Sequence, residues 1–160
     1  MVVATKEGML GDKTNGAGVK DGCPICLTQS PKERVIYEDS LWRLRHSGES
    51  NILGYLILEP KRHFLDLSEA TDTECATMGP LLRKILKAMK QVIDCERIYT
   101  CTLAELVPHY HVHIIPRTEA TPKSFRGRGM LSYPTKPSCN EVLMLDMCDR
   151  IRRALRRVGE

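Results

Sequence analysis

Apolar residues recur along this 160-residue chain with two different periods. Residues 34–38 and 41–45 are short runs of strand character, and Asp39-Ser40 between them supplies a turn. Gly54-Tyr55-Leu56-Ile57-Leu58 is a continuous apolar run, read as a buried strand stopped by Pro60. The period then lengthens. Met78, Leu81, Leu82, Ile85, Met89, Val92 and Ile93 recur at helical spacing behind Thr71-Asp72-Thr73-Glu74, which fits a capping box. Gly79-Pro80 either kinks this helix or marks its regular start. Strand character returns at residues 98–103 and again at 109–115, the second run ended by Pro116. Residues 118–137 form a long loop with Gly, Pro, Arg and Lys. A second amphipathic helix covers residues 140–158, with Val142, Leu145, Ile151 and Leu155 on its stripe and Ser138-Cys139-Asn140-Glu141 as a capping box. Five strands, two helices and no internal repeat predict an antiparallel α+β domain.

Composition narrows this picture. A chain of 160 residues, 42% hydrophobic and 28% charged, suits one globular domain with one core. No apolar run approaches the ~20 residues of a membrane-crossing helix, so no membrane association is expected. Residues 1–20 are rich in Gly, Lys, Thr and Asp and lack the apolar stretch of a signal peptide. They read as a flexible tail before a single domain at residues 21–160. Seven cysteines, an odd number scattered through regular segments, point to a reducing compartment: the cytosol, with the nucleus open. The net charge of +4 is partly local, since Arg150, Arg152, Arg153, Arg156 and Arg157 crowd into the last eleven residues. Such a cluster is either a nucleic-acid patch or a solvated helix end that suits the helix dipole. No aromatic residues interleave with it, which favours the solvated end and argues against a nucleic-acid partner.

The chemical signal lies in His109-Tyr110-His111-Val112-His113-Ile114-Ile115. In a strand these three histidines share one face, about 7 Å apart, while Tyr110, Val112 and Ile114 face a core. Imidazole titrates near neutrality, so such a row can hold a neutral nucleophile beside a proton donor. The chain has only five histidines, and burying unpaired imidazoles without a role costs stability. Cys23-x-x-Cys26 admits three readings: half of a zinc site, a redox pair, or no function. A redox pair should open a helix in a βαβ unit, whereas residues 28–32 lead into a Pro-containing turn.

The histidine segment resembles the signature of the histidine-triad (HIT) family, three histidines alternating with apolar residues, here followed by Pro116-Arg117. Gly54-Tyr55-Leu56-Ile57-Leu58-Glu59-Pro60-Lys61-Arg62-His63 resembles the family's upstream strand and its Pro-Lys-x-His motif, and the likeness spans residues 23–117. It implies a HIT-like five-stranded antiparallel sheet with two main helices. It also implies a nucleotide hydrolase or transferase in which His111 attacks the α-phosphorus of a nucleoside monophosphate ester, anhydride or phosphoramidate. The product is a covalent nucleotidyl-histidine, released by water or another acceptor. His113 then bonds phosphate oxygens, with Glu105 and His46 as further nucleotide contacts. Some members hold a structural zinc, and the matching ligands are Cys23, Cys26, His63 and His109. A two-fold homodimer formed by joining sheets is the implied assembly.

Two positions depart from the family pattern. Tyr55 stands where a supporting histidine is usual, and Ala104-Glu105 where Gly-Gln is common. A glutamate repels phosphate unless protonated or paired, so Glu105 is a general acid, a mark of a changed substrate, or solvent-facing. His46 is a nucleotide contact or a surface residue at a strand end, and Trp42 is a core residue. These departures keep a second class open: a non-catalytic, zinc-stabilised nucleotide-binding or scaffold protein. A third, weaker class uses the C-terminal arginines to bring the chemistry to nucleic-acid ends.

Overall fold

The computed structural model describes residues 14–15, 19–27 and 30–158. Of the segment read as a tail, residues 1–13 and 16–18 lie outside the described residues. The pairs β1 (Thr14–Asn15) and β2 (Val19–Lys20) form a short antiparallel ribbon, followed by the single turn α1 (Pro24–Leu27).

The body is one five-stranded sheet in the order β3 (Val35–Glu38), β4 (Trp42–His46), β5 (Leu56–Pro60), β7 (Val112–Arg117), β6 (Arg97–Cys101), every pair antiparallel. This is the expected α+β class and strand count. The β3–β4 turn forms because the Asp39 carboxylate accepts from the Leu41 and Trp42 amides at 2.8 and 2.7 Å. Helix α2 (Asp72–Val92) runs unbroken through Gly79-Pro80, so its start is at Asp72. Pro80 withholds an amide from Ala76, but both positions are exposed and water meets the carbonyl. The capping box is formed: the Glu74 amide donates to Thr71 Oγ1 at 3.2 Å, and the Thr71 amide donates to Glu74 Oε2 at 2.7 Å.

Helix α3 (Glu141–Arg157) corrects the second capping expectation. Its cap is Asn140, whose side chain accepts from the Leu143 amide at 3.2 Å, while Glu141 pairs with Arg34 instead. Both helices cover one face of the sheet. Trp42, Leu44, Leu56, Leu58, Val112 and Ile114 meet Ile85, Met89, Met144, Met147, Ile151 and Leu155 in one core. Each such side chain contributes about 1.5–3 kcal/mol by burial.

The histidine strand is the main correction. It was expected over residues 109–115, yet β7 begins at Val112 and passes through Pro116 to Arg117. The earlier residues leave the ladder because their polar groups bond to the segment after β5. The Tyr110 amide donates to the Phe64 carbonyl at 2.7 Å, and the His109 ring donates to that of Pro60 at 3.0 Å. Pro116 is tolerated because β7 has outrun β5 there, whose last pair is Leu56 with Ile114. Residues 102–111 form an irregular connection in which Ala104 has φ 51°. The long loop after β7 contains two short 3₁₀ turns, Lys123–Phe125 and Gly127–Ser132.

Candidate active site and metal centre

The sheet face away from the helices carries the chemistry. Residue 109 leads off toward α1, and the two cysteines there come close to two histidines. Cys23 Sγ and Cys26 Sγ each lie 3.4 Å from His109 Nδ1, Cys26 Sγ lies 3.5 Å from His63 Nδ1, and the two Nδ1 atoms are 3.2 Å apart. All four ligand atoms fall within 4.8 Å of one another. A tetrahedral zinc spaces sulfur and nitrogen ligands by about 3.5 Å and two nitrogens by about 3.3 Å. The cluster fits that geometry. The His109 Nε2–H bond to Pro60 leaves Nδ1 deprotonated toward the cluster, as a ligand requires. The spacing of the four residues could hold a metal ion, as the zinc reading of the cysteine pair requires.

The same residue orients the next histidine. His111 Nδ1 lies 2.7 Å from the His109 carbonyl oxygen, and a carbonyl only accepts, so the ring proton sits on Nδ1. In the neutral ring this leaves the lone pair on Nε2, the state a phosphorus nucleophile needs. His111 is buried, and its ring meets His113 edge to face at 4.6 Å between centroids.

His113 rests on Tyr55, the hydroxyl 2.7 Å from Nδ1. Burial first, then the nearby His111 and Arg45, pushes the His113 pKa down to about 4. Burial, with Cys101 close by, raises that of Tyr55 to about 12. Both groups are therefore neutral at pH 7. With the hydroxyl donating to Nδ1, the His113 proton sits on Nε2, as a donor. Tyr55 thus supplies the hydrogen bond that its substitution for histidine left in question. Beside His113 lies a cavity of about 120 Å³. It is lined by Tyr55, Cys101, Leu103 and Ile115 and, from the loop after β7, by Met130, Leu131 and Tyr133.

His46 sits elsewhere. It is 1% exposed, contrary to the surface reading, and faces the core side. Its Nδ1–H donates to the Ser47 carbonyl at 2.9 Å and its Nε2 accepts from the Gly54 amide at 2.9 Å. Both nitrogens are committed to closing the 47–54 loop. Burial pushes its pKa down to about 4. Gly54 is required there: its φ is 83°, and a Cβ would stand 2.4 Å from Ile93 Cδ1. Glu105 is exposed on the 102–111 connection and joins neither cluster. Trp42 is fully buried in the core, as expected.

Sequence reasoning missed Glu59, 2% exposed on the site face, and the two arginines bound to it, Arg43 and Arg45. The signal was available: a lone glutamate in an apolar strand beside a strand with alternating arginines needs partners. The carbonyls of Pro60 and His109, by contrast, leave no trace in residue types. A wider open groove of about 510 Å³ runs between α2 and β6, lined by Arg83, Lys87, Lys90 and Arg97 with Leu82 and Leu86, and holds none of the histidines.

A family model described as the HIT domain matches residues 28–120. An adenosine 5′-monophosphoramidase of Schizosaccharomyces pombe is 28% identical over 100 residues, 62% of this chain and 74% of that protein. Two solved structures share the fold at 20% identity. One is a Zn-bound histidine triad family protein from Mycobacterium smegmatis (TM-score 0.66, covering 86% of this chain and 96% of that one). The other is a hypothetical histidine triad nucleotide-binding protein from Sulfolobus tokodaii (TM-score 0.65, 79% and 85%).

Proposed function

Because this chain belongs to the HIT-domain family, we propose that it is a nucleotide hydrolase or nucleotidyltransferase working through a covalent nucleotidyl-His111. The observation that carries this reading is the 2.7 Å bond from His111 Nδ1–H to the His109 carbonyl, which makes Nε2 the nitrogen that bears the lone pair of the neutral ring. Nε2 attacks the α-phosphorus, a P–N bond forms, and the bond to the leaving group breaks with its electron pair. His113 Nε2–H donates to a non-bridging phosphate oxygen, where charge builds up. Water or another acceptor then attacks the same phosphorus, breaks the P–N bond and restores His111. The apolar cavity beside His113 takes part of the substrate away from the phosphate. The phosphoramidase named among the relatives supports an amine leaving group. Anhydrides such as dinucleoside polyphosphates share the chemistry.

Cys23, Cys26, His63 and His109 would hold a zinc ion whose contribution is structural, since all four positions are protein ligands and none is left for substrate. The free edge of β6 and the groove beside it support a homodimer joined through this side. The thiols suit a reducing compartment, cytosol or nucleus. No helix among the described residues is long and apolar enough to cross a membrane.

The test is turnover of adenosine phosphoramidate and of a dinucleoside polyphosphate, with wild type and His111→Gln. Wild type is expected to release a nucleoside monophosphate and to show an acid-labile nucleotidyl adduct by mass spectrometry. His111→Gln is expected to bind AMP yet lose both signals. Unchanged turnover in that variant rules out the mechanism.

A further inference from the structure

The site face also carries a chain of alternating charges. Lys61 Nζ lies 3.0 Å from Glu38 Oε1, which lies 3.4 Å from Arg43 Nη2. Arg43 Nη1 is 3.5 Å from Glu59 Oε1, and Arg45 Nε donates to Glu59 Oε2 at 3.0 Å. Three cations against two anions leave one positive charge over; the ends of the chain are Lys61 and Arg45, and Arg45 is the end in the histidine row. A single arginine would neutralise Glu59, so the second is surplus to that task. Glu59 binds Arg45 only through Nε, and among the described residues the terminal guanidinium nitrogens have no protein acceptor.

Register places the backbone of Arg45, whose Nε leans to Glu59 in the next row. Arg45 is paired with Ile57, and Ile57 with His113. Residues in direct register share a face, so Arg45 and His113 stand in one row with only Ile57 between them. Two strand spacings are about 9–10 Å, a gap largely covered by an arginine side chain of about 6–7 Å. The Arg45 charge is felt at His113, where it opposes protonation. The His113 ring itself is neutral and brings no positive charge, and Glu105 carries the same sign as a phosphate. We propose that Arg45, anchored on buried Glu59, binds the phosphate of the nucleotide substrate and supplies its charge complement, making the site selective for phosphorylated over unphosphorylated nucleosides. This rests on the nucleotide-transfer reading above. It adds a residue that sets how the α-phosphate is held.

The experiment is calorimetric titration of the full-length chain with AMP and with adenosine, for wild type, Arg45→Gln and Arg43→Gln, at two salt concentrations. Arg45→Gln is expected to weaken AMP at least tenfold, to flatten the salt dependence of AMP binding, and to leave adenosine within twofold. Arg43→Gln, which removes the other partner of Glu59, is expected to leave the ratio of AMP to adenosine affinity unchanged. Equal losses for AMP and adenosine in Arg45→Gln, or AMP binding as tight as wild type, overturns the proposal. If Arg45→Gln fails to fold, Arg45→Lys replaces it, keeping the pair with Glu59 as a point charge. It is expected to weaken AMP at least threefold while sparing adenosine, and no change in either overturns the assignment. A wild type that binds no AMP overturns this inference together with the proposed function. AMP binding that ignores Arg45 overturns this inference alone.

Discussion

Tyr55 shows what one side chain can and cannot announce. Its place after the strand-opening Gly54 was legible, and so was its departure from the histidine usual there. That its hydroxyl meets His113 Nδ1 at 2.7 Å depends on a pairing across 58 residues, which no local pattern records. Tyr55→Phe removes the hydroxyl bonded to His113 Nδ1 and frees the His113 ring to turn. Losing one such bond is worth about 1.4 kcal/mol, so turnover is expected to fall roughly tenfold with AMP binding little changed. Steady-state kinetics of the variant checks this, and an unchanged kcat would place the tyrosine outside the mechanism. Ala104 is a second single-residue case. It holds φ 51°, a left-handed conformation that glycine adopts without strain. Ala104→Gly is expected to be neutral to about 1 kcal/mol stabilising, and Ala104→Val to destabilise by about 1–2 kcal/mol, in urea denaturation. A more stable valine variant would contradict the strained backbone.

At the scale of elements, periodicity located the helices well because each buries one stripe against the same sheet. It failed at ends, where capping and tertiary bonds compete. The α3 start agrees within a residue, but its cap is Asn140 in place of the Ser138 capping box, because the asparagine carbonyl reaches the Leu143 amide. The start of β7 moved because Tyr110 and His109 bond to Phe64 and Pro60 outside the ladder. The β4–β5 connection supplies a pH prediction. His46 closes it while neutral, with a folded pKa of about 4 against an ordinary value near 6.5. Its unfolded form therefore takes up a proton first as pH falls. Stability is full above about pH 6.5 and is lost as pH drops toward 4, at about 1.4 kcal/mol per pH unit. His113, depressed to about 4 as well, acts in the same direction. Urea midpoints at pH 7 and 5 are expected to show this loss. His46→Asn, less stable at pH 7 but without the titration, is expected to show a shallower one. Equal slopes in the two proteins would remove His46 as a cause.

For the whole molecule, the ligand residues 23, 26, 63 and 109 lie on an N-terminal turn, the segment after β5 and the approach to β7. A metal held by all four would tie these otherwise separate parts together, and binding energy of that kind is folding energy. Purified protein is expected to contain one zinc per chain by elemental analysis. Chelation is expected to lower the melting temperature by about 10 °C or more, since several kcal/mol are lost and a chain of this size shifts about 2–4 °C per kcal/mol. An unchanged melting curve in excess chelator would remove the structural role. The proposed dimer predicts a light-scattering mass twice the 18.1 kDa of one chain. At this scale the sequence was most informative: fold class and strand count were legible from periodicity, and the four cluster residues from the resemblance to zinc-holding members of the family. The charge chain on the site face was not, because its members are drawn from three separate segments and meet only through strand register.

The carbonyl of His109 carries a consequence for how such a protein can change over time. The ring of that residue joins the cysteine–histidine cluster, while its main-chain oxygen accepts from the His111 ring. A main-chain oxygen cannot be substituted, only moved. Any lineage that gave up the cysteine pair would also have to keep residue 109 at its present torsion angles by some other packing. The two sites cannot drift independently, so replacing Cys23 and Cys26 by a well-packed apolar pair is a stricter redesign problem than its position, remote from the phosphate, suggests.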